Sequence, residues 1–378
     1  MPIYVGKGNK TSQAERIYVG VNNVAREIGK VYAGVDNVAR LISQRLQIEL
    51  ELQTRIAAGR KHGAFIESCG TAWAWGDNAH GQLGDGTTDP RDSKQRVRQL
   101  PAITSIVSGD SHTLALQPGG TIWSWGYNYS GQLGNGAYSV LANPSLIMIG
   151  QVRRVAANAA LCLALKEDGT VWGWGYGGSG QLGGLENIRI STPIQIIDST
   201  DISEISVGGQ HCLALNSDGA VWAWGDNTYG QLGVPGPRTN SIPSQVPGLS
   251  GIIAISAGGY HNLALKDDGS VYAWGWNGEG QLDAGCAEKT VFAPARIANL
   301  ANAICVGAGS HHSIALLADD RVLGWGHNDK GQLGAAVHID YTVPAPIAEL
   351  QDICAVAAGY NNTIAIDHSG NVHFLGEL

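Results

Sequence analysis

Apolar residues along most of the chain come in short runs bounded by Gly, Pro, Asp and Asn. One stretch reads Val107-Ser108-Gly109-Asp110-Ser111-His112-Thr113-Leu114-Ala115-Leu116, then Gln117-Pro118-Gly119-Gly120, then Thr121-Ile122-Trp123-Ser124-Trp125-Gly126. Runs this short with such boundaries predict strands rather than helices. Asp-Gly or Gly-Gly pairs at 119–120, 168–169, 218–219 and 268–269 predict tight hairpins in turns that need positive φ. The whole pattern repeats. Trp75-Gly76-Asp77-Asn78-Ala79-His80-Gly81-Gln82-Leu83-Gly84 has further copies starting at Trp125, Trp174, Trp224, Trp274 and Trp325, a step of 49 to 51 residues. A fixed period near fifty is the signature of a propeller or a solenoid array.

After each Gly-Gln-Leu-Gly, read here as a turn and strand start, comes a variable polar loop. A Pro and a short apolar strand follow, as in Pro193-Ile194-Gln195-Ile196-Ile197. Four antiparallel strands per repeat make a propeller blade. The first half of the repeat occurs seven times, ending near Gly76, Gly126, Gly175, Gly225, Gly275, Gly326 and Gly376, and the second half six times. Leu46-Gln47-Ile48-Glu49-Leu50-Glu51-Leu52 stands before Gly59 where Arg96-Val97-Arg98-Gln99-Leu100 stands before Gly109. Residues 45–54 are therefore expected to pair with the C-terminal strands. The expected fold is all-β: a seven-bladed propeller of four-stranded antiparallel blades over 45–378, its edges removed by closure.

The Trp-Gly-x-Asn-x-x-Gly-Gln-Leu-Gly motif, with Gly-x-x-His upstream, resembles the regulator of chromosome condensation repeat over residues 45–378. Kelch repeats share the period but not this motif. The resemblance implies a seven-bladed propeller, in agreement with the strands. It also implies guanine-nucleotide exchange on a small GTPase with chromatin binding, and charge weighs against that. Residues 1–44 hold six Lys/Arg against three Asp/Glu, a balance of +3, which leaves −11 for the remainder of a chain whose total is −8. An acidic ring lacks the basic footprint of a nucleic-acid binder. The near-constant spacing also leaves no room for an inserted exchange wedge.

Ahead of the propeller lies a shorter period of fourteen, with copies starting Ile3-Tyr4-Val5-Gly6, Ile17-Tyr18-Val19-Gly20 and Val31-Tyr32-Ala33-Gly34. Each unit reads as a short strand, an Asn-containing turn and a second strand. Three such units bury little apolar area alone, so residues 1–44 are expected to be a β-rich extension that docks on an assembly partner or on itself. The units resemble repeats of phage and prophage tail-associated structural proteins. No run of eighteen apolar residues and no signal-peptide pattern is present, so no membrane span is expected, and a cytoplasmic or virion-associated location is. Six cysteines without Cys-x-x-Cys read as buried free thiols.

Three sets of residues bear on function. His62, His112, His211, His261 and His312 share one repeat position, occupied elsewhere by Leu161 and Asn362. Positions related around a ring cannot converge on one metal ion, so these histidines are read as structural, bonded to a neighbouring strand or loop. Trp75, Trp125, Trp174, Trp224, Trp274 and Trp325 are read with the tryptophans two residues before them as packing between blades. No cofactor is expected, and no Ser/His/Asp group, carboxylate pair or nucleotide fingerprint suggests an enzyme.

The third set lies in two loop series expected to crowd one end of the propeller. It comprises Tyr127, Tyr129, Tyr176, Tyr229, Tyr260, Trp276, His311, His327 and Tyr360. Aromatics with polar tips are enriched in recognition surfaces. In secreted β-lactamase-inhibitory propellers of similar repeat type, these loop series grip the target enzyme, which implies the same role for these nine positions. The expectation is a non-enzymatic recognition head, carried on a phage-tail-like or other bacterial assembly and binding a protein or glycan. The alternative is a free-standing inhibitor or adaptor.

Overall fold

The structure, a computed structural model, describes residues 17–21, 24–28, 52 and 54–377, apart from 185–188, 284–287 and 335–338. Seven antiparallel sheets form the blades of a closed propeller. Blade 1 spans Ile56 to Arg96, blade 2 Ser105 to Ile147, blade 3 Val152 to Ile197 and blade 4 Ile202 to Gln245. Blades 5, 6 and 7 run from Ile252 to Arg296, Ala303 to Pro346 and Ile353 to Gly376. Six blades have four strands, called a to d from the central channel outward, and blade 7 has three among the described residues. The strand expected over 45–54 lies outside the described residues except for Leu52 and Thr54.

Blade 4 shows why these sequences make blades. Strand b, His211–Asn216, pairs with strand c, Val221–Asp226, His211 opposite Gly225 and Leu213 opposite Ala223. Successive side chains point to opposite faces. Leu213 and Leu215 pack toward blade 5 with Ile255, Ala264 and Trp274, whereas Cys212 and Ala214 pack toward blade 3 with Leu163 and Leu165. Both faces are buried, so strand b is an unbroken apolar run. The hairpins are tight, and in six blades a glycine takes the left-handed position, with Asp320 (φ 66°) in its place in blade 6. Gly169 has φ 86°, and its N–H closes a turn on the Lys166 carbonyl at 3.0 Å. Only blade 2, with Gly119 and Gly120, has two such residues in sequence.

The ring closes through direct contacts between blades 7 and 1. Ile56, Phe65 and Trp75 share a core with Ala355 and Ile364. The Asn362 amide donates to the Gly59 carbonyl at 3.1 Å, and Lys61 pairs with Glu377 at 2.7 Å. In the N-terminal region Ile17–Val21 and Val24–Ile28 form a hairpin, Val21 paired with Val24 and Ile17 with Ile28, which is the strand-turn-strand unit read from the middle repeat. The first and third repeats lie outside the described residues. Among the described residues no helix is long and apolar enough to cross a membrane.

Candidate binding face

The repeat histidines are wholly buried and reach from one blade to the next. His62 Nε2 meets Thr113 Oγ1 at 3.1 Å, His112 meets Cys162 Sγ at 3.1 Å and His211 meets Asn262 Oδ1 at 2.7 Å. His261 meets Ser313 Oγ at 2.9 Å and His312 meets Thr363 Oγ1 at 3.2 Å. Thr113, Cys162, Asn262 and Ser313 each donate onward to the carbonyl of a repeat glutamine, at 3.0, 3.3, 2.8 and 2.9 Å. Each hydroxyl or thiol spends its hydrogen on that carbonyl, and Asn262 offers His211 its oxygen. The imidazoles of His62, His112, His211 and His261 therefore donate through Nε2. Above each ring the backbone must be bare, since a Cβ on Gly208 would stand 2.2 Å from His211 Cε1. Blade 3 supplies the internal comparison: with Leu161 at the histidine position, Asn158 replaces the glycine.

Burial lowers His62 and His211 to about 4 and His112 and His312 to about 3, with His261 also well below its usual value. A depressed imidazole is protonated in the unfolded chain before it is protonated in the native one. The stability these rings contribute is therefore complete above pH 6.5 and drains away as pH falls from 6.5 toward 4 for His62 and His211 and toward 3 for His112 and His312. Unfolding free energy is expected to drop by up to ~1.4 kcal/mol per pH unit for each histidine. Urea unfolding at pH 7, 6, 5 and 4.5 checks this, and His211→Asn should flatten the slope.

Five of the six second tryptophans are fully buried and Trp75 nearly so. Trp125, Trp174, Trp224, Trp274 and Trp325 donate from Nε1 to the carbonyls of Gln82, Gln132, Gln181, Gln231 and Gln281 in the preceding blade, at 2.8 to 2.9 Å. Trp73, Trp123, Trp172 and Trp222 are half-buried on the same side.

Gly-Gln-Leu-Gly is a turn only; no strand starts there, and strand d of blade 1 begins at Arg91. The turn locks the loop that follows each Trp-Gly. Asn227 Oδ1 accepts from the Leu232 N–H at 3.0 Å, and Gln231 Oε1 accepts from the Tyr229 N–H at 2.8 Å. The same glutamine bond recurs in blades 1, 2, 3, 5 and 6. Before this turn, Gly225 has φ 106°, and a Cβ there would lie 2.6 Å from the Gln210 carbonyl oxygen, which explains the invariant glycine after the tryptophan.

These locked loops and the a–b loops share one end of the propeller. Six of the nine expected aromatic positions form a continuous crescent over blades 4 to 7. Tyr229 lies 5.3 Å from Tyr260 and 6.2 Å from Trp276, ring centre to ring centre. His311 lies 5.9 Å from Tyr260, 5.0 Å from Trp276, and 6.3 Å from both His327 and Tyr360. Arg60 of blade 1 extends the crescent, its guanidinium 4.6 Å from the centre of the Tyr360 ring. His311, lowered to about 4 mainly by burial, is neutral at pH 7. Tyr127 and Tyr129 form a second group with His80, at 4.9 and 4.8 Å. Tyr176 stands apart, its hydroxyl over Gly178, where a Cβ would clash at 2.3 Å. Trp276 covers Gly278 in the same way.

Arg60 and His80 are the contributors that aromatic content alone did not single out, although both sit in the two loop series. Among the described residues no group of three His, Cys, Asp or Glu is placed to hold a metal ion. Cys162, Cys212, Cys305 and Cys354 are buried, and Cys69 is exposed.

A family model for the RCC1-like domain matches residues 148–377. Models of the regulator of chromosome condensation (RCC1) repeat match 70–116 and 119–165, and 54–82 and 103–132. Among curated relatives, the mitochondrial RCC1 domain-containing protein RUG3 of Arabidopsis thaliana is 36% identical over 73 residues, 19% of this chain and 16% of that protein. The regulator of chromosome condensation of Drosophila melanogaster is 32% identical over 76 residues, 20% of this chain and 14% of that protein. The matches thus span under a fifth of the relatives' own length. Two solved structures share the fold. Prp20p of Saccharomyces cerevisiae has a TM-score of 0.73 at 24% identity, covering 85% of this chain and 82% of that one. Human WBSCR16 has a TM-score of 0.74 at 24% identity, covering 82% and 86%. With the repeat spacing, the seven blades and the domain match in agreement, the chain belongs to the family of RCC1-like propellers.

Proposed function

We propose that the protein is a non-enzymatic recognition module that grips a protein partner through the crescent of Tyr229, Tyr260, Trp276, His311, His327 and Tyr360. The continuity of that crescent carries the reading. Large rings with polar tips, beside an arginine, have the composition of interface hot spots. Glutamine and asparagine locks fix the loops in advance, which lowers the ordering cost of binding. The structure of Prp20p was described with that protein's binding to Gsp1p and histones. The crescent here is built from variable positions, and the acidic ring argues against nucleic acid, so no partner is carried over. Affinity capture with immobilised protein tests the reading: partners held by the wild type should be lost with Trp276→Ala/Tyr229→Ala. Retention of the same partners by the folded double variant would sink it.

The same proposal mounts the module through residues 1–44 on a larger assembly, of the phage-tail kind. The Ile17–Ile28 hairpin, one of three units in sequence, supports this part. Light scattering should give an oligomer for the full chain and a monomer for a chain beginning at Arg45. Two monomers would favour the free-standing inhibitor or adaptor.

A further inference from the structure

The seven inner strands surround a central cavity of about 980 Å³, lined mostly by Ala, Gly, Ser and Val. Of its charged residues, Arg60 and Asp110 sit in a–b loops at the aromatic end, whereas Arg55, Arg153, Arg154 and Glu204 gather at the opposite end, where the inner strands begin. Arg55, Arg154 and Glu204 line the cavity at one level, each seven residues before the repeat positions of His62, Leu161 and His211. Ser105 holds that level on blade 2, between the two arginines, and Arg153 adjoins it.

Two other arginines, one far from the cavity and one beside this level, have partners. Arg91 pairs with Asp85 at 2.9 Å, and Arg153 donates to the Ile202 carbonyl. Among the described residues, neither the Arg55 nor the Arg154 guanidinium has a hydrogen-bond or ion-pair partner, and Arg154 feels Glu204 only at longer range. Among the described residues lining this end, the balance is three arginines to one carboxylate, inside a propeller that is acidic as a whole. Low-dielectric walls focus such a field. A guanidinium fork matches phosphate or carboxylate oxygens in two-point contact.

We propose that this end of the channel binds a small polyanion bearing two or more phosphate or carboxylate groups, with Arg55 and Arg154 as its ligands and Glu204 as the opposing charge. Two anionic groups are required because the unpaired arginines stand on blades 1 and 3, with blade 2 between them; Ser105 supplies a neutral donor there. The cavity is of the size that encloses small ligands. Burial raises Glu204 to about 7 against the pull of Arg154, so near neutral pH its opposition is already weakened.

The test is calorimetric titration of the full chain with inorganic tripolyphosphate, and in parallel with citrate, at matched low ionic strength. One saturable site per chain is expected, and the tighter of the two probes names the anionic group. Arg55→Gln/Arg154→Gln should weaken binding at least tenfold, Glu204→Gln should tighten it threefold or more, and Trp276→Ala should leave it unchanged. Absence of saturable binding to the wild type would overturn the site, as would undiminished binding to a folded double arginine variant. If that variant fails to fold, Glu204→Gln decides: tighter binding supports the site, and unchanged or weaker binding overturns it. The Trp276→Ala arm keeps this outcome separate from that of the aromatic face.

Discussion

Truncating Trp224 to alanine is expected to lower the unfolding free energy by about 4 kcal/mol, the range found for removing a fully buried aromatic side chain. The ring is 0% exposed and lies at the junction of blades 3 and 4, among Leu163, Leu182 and Ile205. Its indole N–H is also the one donor among the described residues to the Gln181 carbonyl, at 2.8 Å. The matching change at Trp125 leaves the Gln82 carbonyl a second donor, Thr113 Oγ1 at 3.0 Å. Trp224→Ala should therefore cost about 1 kcal/mol more than Trp125→Ala, the usual worth of one buried hydrogen bond. Guanidinium unfolding of both variants checks the absolute loss and the difference. A loss under about 1.5 kcal/mol for Trp224→Ala would mean that the junction refills the space, contrary to the close packing expected of interiors.

Removing Trp276 and Tyr229 together should weaken partner binding at least a hundredfold, since hot-spot truncations cost about 2 kcal/mol or more each. The two rings touch, and both touch Tyr260, so either loss opens the middle of the crescent. Neither ring belongs to an inter-blade core, and the loops are held by backbone locks that alanine keeps. The unfolding midpoint should accordingly stay near that of the wild type. Tyr176→Ala serves as the comparison, because Tyr176 stands apart from the crescent, and its loss should cost less than tenfold. Titration of a captured partner measures all three proteins. Equal losses for Tyr176 and for the central pair would replace the crescent with a diffuse contact face.

The fold was legible because its physics is periodic. Short apolar runs, glycine after tryptophan and a step near fifty residues all answer to the same strand and turn requirements, repeated around the ring. What period alone did not reveal is the pairing across blades. His211 and Asn262 stand 51 positions apart, and nothing local to either announces the other. The reason for Gly-Gln-Leu-Gly was hidden in the same way: the glutamine serves its own loop through its side chain and the next blade through its carbonyl. The nine aromatic positions could be placed at one end of the propeller from loop order. Which of them meet depends on side-chain reach across neighbouring blades, which joins Tyr229 to Trp276 but leaves Tyr176 outside. The channel arginines are visible in the sequence once it is aligned on the histidine position. Their signal is a departure from the small residues common at that level rather than a motif.

Because the locks that recur in the loop face are made by repeat residues and backbone, the six crescent side chains take no part in them, unlike Asp77 and Asp226, which accept from the repeat glutamine amides. Each blade thus offers a tile whose inscription can be rewritten while its neighbours stay in place. A combinatorial library over 229, 260, 276, 311, 327 and 360 would sample new targets on an unchanged ring, and substitutions should accumulate at these positions faster than at the histidines and tryptophans beneath them.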